Sequence, residues 1–221
     1  MRSDYHLSSA QVERVIYRGP ARGCHAWRDR CLLKLLAQTG ARRFEAAGLD
    51  VADLDLGARR IHIREGKGGR SRLIPISDDL ASDLDQLISL RRRGPVFLSG
   101  RGRRLSIRQV SRIVSDAGAR AGVRNPDPDS QGRLGCHLFR HTLARRWKDS
   151  GAPIESLSRI LGHASVATTL DLYGTKSADD VQADFDAWHA VAAGDAKGRG
   201  LSTPRPANPL KRRSNARSAP I

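Results

Sequence analysis

The sequence predicts a mainly α-helical domain carrying one small antiparallel β-sheet. Three observations carry this prediction. Apolar residues recur at helical spacing through most of the chain, Ser-x-x-Gln pairs at Ser8 and Ser106 announce helix starts, and between Arg59 and Ile76 the pattern shortens to two brief runs around a glycine-rich turn. A chain of 221 residues is long enough for one good core with length left for a tail.

The elements follow in order. Ser8 is the N-cap of a first short helix, with Gln11 closing its capping box and Leu7 placed to staple onto Val12. Pro20 and Gly23 punctuate the chain before Trp27 to Gln38, a second helix whose Leu32, Leu33, Leu35 and Leu36 call for burial. Thr39-Gly40 ends it. Val51 to Leu56 is a candidate third extended element beside strands at Arg59 to Arg64 and Arg72 to Ile76, and Gly66-Lys67-Gly68-Gly69 joins those two strands. Ser77 to Arg92 reads as helix and Pro95 to Leu98 as a short extended piece. Ser106 and Gln109 open a helix with Ile107, Val110, Val114, Ala117 and Ala121 inward. Residues 122–135 hold three glycines and two prolines and read as a loop. His137 to Lys148 is helical and ends near Gly151. Pro153 starts a helix that sends Ile154, Leu157, Ile160 and Leu161 to the core and closes at Gly162, and a further helix carries Val166, Leu170 and Tyr173.

Charge bounds the function. The 39 Lys and Arg against 23 Asp and Glu give a formal +16, so the expected partner is a polyanion, with nucleic acid first. From Gly194 onward the chain is rich in Gly, Pro, Ser, Asn and Arg, and its seven basic residues against Asp195 leave +6 in the tail and +10 in the body. No long apolar run, amphipathic lysine-rich stripe or lipidation motif points to a membrane, and Met1 to Ser9 is not a signal peptide. The expected location is the cytoplasm, at the nucleoid. Cys24, Cys31 and Cys136 are too few and scattered for a disulfide framework or zinc ribbon and read as reduced bystanders.

Several residues carry chemistry in combination. Arg42 follows the Thr39-Gly40 helix end, with Glu45 three residues on. Such a pair is commonly a surface ion pair, but a buried, glutamate-oriented guanidinium at a helix end is a rigid two-pronged phosphate donor. Lys67 sits in a turn that lacks Walker A spacing. It reads either as a solvated lysine or as an ammonium delivered to a leaving oxygen. His137 and Arg140 share a helix face, and His141 completes His-x-x-x-His. A zinc reading is set aside because the adjacent glutamate is missing and Arg140 would repel a cation, so no metal and no cofactor are expected. His163 alone fits a helix-cap residue, and Tyr173 alone a half-buried core tyrosine.

Together, Thr39-Gly40-Ala41-Arg42-Arg43-Phe44-Glu45, Gly66-Lys67-Gly68, His137-Leu138-Phe139-Arg140-His141, Leu161-Gly162-His163 and Tyr173 resemble, in this order, the catalytic domain of tyrosine recombinases, the phage integrase family. The resemblance covers roughly residues 7 to 185 and implies the DNA breaking-rejoining fold. Ala41 and Phe44 depart from the usual residues, and Tyr173 lies ten positions after His163 where many members have nine. By the resemblance, Arg42, Lys67, His137, Arg140 and His163 assist the nucleophile Tyr173, and Glu45 supports Arg42.

The resemblance implies a site-specific recombinase of integrase or invertase type that forms a 3′-phosphotyrosyl intermediate without metal or ATP. The expected partner is double-stranded DNA, in a homo-oligomer that becomes a tetramer on synapsed DNA. Type IB-like topoisomerase activity and a non-catalytic DNA-binding regulator are the alternatives. The division expected is an extension over 1–6, a catalytic domain over 7–185 and a basic, disordered tail over 186–221. Family members usually carry an N-terminal helical clamp, for which residues 1–6 are too few, so a partner recombinase or accessory protein is a candidate to supply it. Arg108, Arg112, Arg145, Arg146 and Arg159 are candidates for DNA contact.

Overall fold

In the computed structural model, residues 5–64, 71–162 and 177–197 are described. Residues 65–70 with Lys67, the segment with His163, Val166, Leu170 and Tyr173, and the chain from 198 on lie outside the described residues. Among the described residues the elements are α1 (Ser9–Arg18), α2 (Ala26–Thr39), α3 (Arg43–Gly48), β1 (Leu54–Asp55), β2 (Arg60–Ile63), β3 (Arg72–Pro75), α4 (Asp78–Ile88), α5 (Ile107–Arg120), α6 (Cys136–Asp149), α7 (Ile154–Leu161) and α8 (Ala178–Lys197). The fold is thus mainly helical with a small antiparallel sheet, as the sequence predicts.

α2 is the central helix. It packs against α1, α4 and α6, and Leu32, Leu33, Leu35 and Leu36 are buried. Apolar side chains surround it, so it needs no polar face; of its two buried charges, Asp29 pairs with Arg28 and Lys34 is held by Asp83 of α4, each at 2.6 Å. Both predicted capping boxes form. Ser8 Oγ accepts the Gln11 N–H and Gln11 Oε1 accepts the Ser8 N–H, and Ser106 and Gln109 repeat the arrangement at α5. The Leu7 N–H donates to Thr142 Oγ1 at 3.0 Å, which ties the entry to α1 onto α6.

The sheet runs β1-β2-β3, antiparallel throughout, with Ile61 opposite Ile74 and His62 opposite Leu73. Strand alternation turns Ile61, Ile63 and Ile74 inward and leaves His62 and Leu73 exposed.

Three expectations are corrected. Ile107 and Ile154 are 45% and 50% exposed rather than inward, because each is the first residue of its helix and overhangs the end of the packed stripe. α4 stops at Ile88 rather than Arg92: Ser89 takes a positive φ of 53° and its N–H closes on Asp85 O, beyond it Leu90, Arg92 and Arg93 are exposed, and Arg91 turns back to donate to Pro95 O and Val96 O. The boundary at residue 185 falls inside α8. Phe185 and Trp188 of that helix are buried, and Trp188 stacks on Trp147 of α6 with ring centroids 5.1 Å apart. Asp186 pairs with Arg59, and Asp184 accepts from Ser156 Oγ of α7, so the folded body extends at least to Trp188.

Candidate active site

The site is built where three helix ends meet. α2 closes on Gly40 in the left-handed region (φ 59°), whose N–H returns to Leu36 O. A Cβ there would lie 2.8 Å from Leu161 Cδ2 and 3.1 Å from Leu143 Cδ2, so glycine is required by backbone conformation and by space alike. The chain reverses through Ala41 and places Arg42 as the N-cap of α3. Glu45, three residues on, reaches back to accept both the Arg42 backbone N–H (2.8 Å) and its Nη1 (3.0 Å). The commoner surface reading of this pair is therefore wrong: the Glu45 side chain is fully buried and Arg42 is 22% exposed.

A residue absent from the sequence-based set completes the group. Arg72 of β3 donates Nη1 to Glu45 Oε1 (2.9 Å), Nη2 to Glu45 Oε2 (2.8 Å) and Nε to Ile160 O at the end of α7 (2.9 Å). Strand alternation places it on the same inward face as Ile74, and a charge at an inward strand position was the available signal. Burial pushes the Glu45 carboxyl upward, but Arg72, the Arg42 backbone N–H and the Arg42 guanidinium outweigh it, and the carboxyl stays below its ordinary range.

Arg140 reaches the same point from α6. It is 5% exposed and donates Nη1 to Gly40 O (3.1 Å) and Nη2 to Leu161 O (2.5 Å). Each carbonyl belongs to a helix C-terminus, where the partial negative charge of unpaired carbonyls suits a cation. Burial first, then repulsion from Arg42 and Arg72, lowers its guanidinium to about 10, still charged at neutral pH. His137, one turn earlier on α6, faces solvent and meets His141 edge to face at 4.3 Å between centroids. Partial desolvation, then His141, Arg140 and Arg42, holds the His137 imidazole below its ordinary value, and His141 is lowered in the same sense by desolvation and Arg140.

Arg42, Glu45, His137 and Arg140 are thus brought together, with Arg72 added. Lys67, His163 and Tyr173 lie outside the described residues; Gly162, which precedes His163, caps α7 with φ 65°. Of the DNA-contact candidates, Arg108 and Arg112 are exposed on α5. Arg145 pairs with Asp149, Arg146 stands over the Trp188 ring at 5.7 Å, and Arg159 is half-buried. Among the described residues no three His, Cys, Asp or Glu side chains gather as a metal cage, and no helix is long and apolar enough to cross a membrane.

What the cluster offers is dense, fixed positive charge beside a neutral imidazole, an arrangement for gripping a phosphate. The model of the phage integrase family matches residues 6–179. The chain is 38% identical over 159 residues to tyrosine recombinase XerD of Mycobacterium tuberculosis, which covers 68% of this chain and 49% of the relative. It is 31% identical over 190 residues to tyrosine recombinase XerC 2 of Ralstonia nicotianae, covering 83% and 52%. The chain therefore spans about half the length of these relatives. Among solved structures, the XerA recombinase superposes with a TM-score of 0.61 at 26% identity, over 89% of this chain and 65% of that one. The XerH site-specific recombinase bound to difH substrate, a pre-cleavage complex, shares the fold at TM-score 0.59 and 23% identity, over 83% and 54%. With the ordered motifs in the sequence, the clustered arginines in the structure and a family model spanning most of its length, the chain belongs to the phage integrase family.

Proposed function

We propose that this chain is a site-specific DNA strand transferase that cuts and rejoins a phosphodiester through Tyr173. The observation that carries the reading is that Arg42, held by the buried Glu45, and Arg140, held by the C-termini of α2 and α7, come together with His137 one turn from Arg140 on α6. Support comes also from the recombinase names of the relatives.

In the proposed reaction the Tyr173 hydroxyl attacks phosphorus, forming a 3′-phosphotyrosyl bond as the bond to the 5′ oxygen breaks. His137, held neutral, accepts the phenolic proton, and Lys67 gives a proton to the departing 5′ oxygen. Arg42, Arg140 and His163 stabilise the charge that grows on the non-bridging oxygens, a role in which losing one donor typically reduces the rate about 10²–10³-fold. A DNA 5′-hydroxyl then attacks the phosphotyrosine and restores both tyrosine and phosphodiester. One ester replaces another, so the scheme consumes no ATP, and the guanidiniums supply the charge a metal would otherwise provide. Double-stranded DNA is the proposed partner, synapsed by a tetramer of this chain or with a partner recombinase, in the cytoplasm.

The test uses nicked duplexes of random sequence as suicide substrates, with denaturing gels to capture protein–DNA adducts and sequencing to read the site. The wild type is expected to form an adduct that Tyr173→Phe abolishes. DNA binding without any adduct would instead identify a non-catalytic regulator, and relaxation of supercoils without joining two sites a topoisomerase.

A further inference from the structure

We infer that Arg72 is a positioning residue that fixes the working orientation of Arg42 and locks it to the end of α7. The catalytic consequence rests on the strand-transfer reading above; the positional claim does not.

The geometry is specific. Arg72 uses three of its five N–H donors on three separate acceptors: both oxygens of Glu45 and Ile160 O. The paired contact on Glu45 fixes the plane of that carboxylate. The same carboxylate then receives the Arg42 backbone N–H and Nη1, so the Arg42 guanidinium points where Arg72 allows. Arg72 is 9% exposed against 22% for Arg42 and has all three of its nitrogens engaged on Glu45 and Ile160 O, so it acts through Glu45 while Arg42 faces outward.

The second anchor matters as much. Ile160 O lies in the last turn of α7, one residue before the carbonyl held by Arg140 and three before His163. Gly162 packs directly on Arg72: a Cβ there would stand 3.0 Å from Arg72 Cδ and 3.2 Å from both Nε and Nη1. One guanidinium therefore spans α3, β3 and α7, and connects the residue that orients Arg42 to the helix end from which the chain enters the His163 segment. A lysine reproduces the charge but cannot span two carboxylate oxygens and a carbonyl with fixed planar donors.

The test compares Arg72→Lys and Arg72→Gln with wild type. The direct readout is the Arg42 side-chain Nε–H resonance in ¹⁵N-labelled protein, assigned by its loss in Arg42→Lys. A single sharp, dispersed signal is expected in wild type, with collapse toward the solvent-exchanged position in both Arg72 variants; an unmoved signal in a folded Arg72→Lys overturns the inference. This measurement needs no DNA and stands even if no adduct ever forms. Where the wild type does form the adduct, Arg72→Lys is expected to keep the unfolding midpoint and DNA affinity while its adduct rate at saturating DNA falls about 10²-fold, the scale for a displaced transition-state donor. Adding Glu45→Gln to Arg72→Gln should slow the reaction little further, because both act through one path. Full rescue by lysine, or additive losses in the double variant, would mean that Arg72 contributes only charge.

Discussion

Replacing Glu45 by Gln removes the single carboxylate that holds two guanidiniums while keeping the side chain's size. The Glu45 side chain is fully buried and Arg72 is 9% exposed, so the variant leaves Arg72 charged with no anion against it among the described residues and with repulsion from Arg140 unrelieved. Breaking a buried pair by removing one partner costs about 3–5 kcal/mol. The amide oxygen retains one hydrogen bond, which favours the lower end, about 3 kcal/mol. For a domain of this size that lowers the melting temperature by about 6–12 °C. The pH dependence has a definite sign. The folded carboxyl lies below its ordinary range, so its stabilisation is complete above the unfolded value of about 4.3 and is lost as pH falls through the lower folded value. Urea unfolding followed by far-UV circular dichroism should therefore separate wild type from Glu45→Gln fully at about pH 7, with the gap narrowing below about pH 4. A gap under about 1 kcal/mol at neutral pH, or one of equal size in acid, would show that the Glu45 carboxylate is not what holds these arginines.

Three further outcomes follow from the same geometry. Gly40→Ala combines the left-handed backbone with a 2.8 Å approach to Leu161 and should cost at least about 1–2 kcal/mol in urea unfolding. Trp188→Ala removes a buried ring stacked on Trp147 and should cost about 3–5 kcal/mol, so that truncation at residue 185 gives a protein that unfolds at lower urea. The adduct-forming rate should decline in acid through a value below the usual histidine 6.5, because the lowered imidazole must bind a proton before it stops accepting one. His141→Phe should move that acid limb upward, and a limb unmoved by this change would remove His141 from the account.

What could be read from the sequence was the part of the site set by local rules. Gly40 as a helix stop and Glu45 three residues after Arg42 are short-range signals, and they placed Arg42 just past the end of α2, although the short helix α3 that Arg42 caps was not foreseen. The contacts that turn those residues into a cluster are not local. Arg140 bonds to Gly40 across 100 residues and Arg72 reaches Glu45 across 27, distances over which neither capping nor periodicity carries information. Arg72 gave one usable sign, its in-phase position with Ile74, and that sign says only that the charge faces inward. α8 was readable on better grounds: Val181, Phe185 and Trp188 recur at i, i+4 and i+7, whereas the polar composition further on drew the boundary too early. Ile107 and Ile154 fail for the opposite reason, since periodicity fixes the face of a helix but not where along it the neighbours end.

The charge count at the site bears on catalysis as well as on binding. Among the described residues Arg42, Arg72 and Arg140 contribute three positive charges and Glu45 one negative, leaving +2 with His137 neutral. A phosphodiester carries one negative charge, and attack by a phenolate brings a second onto the pentacoordinate phosphorus. In the proposed reaction His137 takes up the phenolic proton as that second charge forms, so the site gains a positive charge in step with the phosphorus, and only interactions stronger there than in the bound substrate accelerate the reaction. Without Glu45 these described residues would carry +3 and hold undistorted DNA more tightly, which would increase binding to any sequence without raising the preference for the transition state. Placing the counter-charge behind Arg42, where Arg72 fixes it, keeps the forward-facing guanidinium rigid and the ground-state grip moderate.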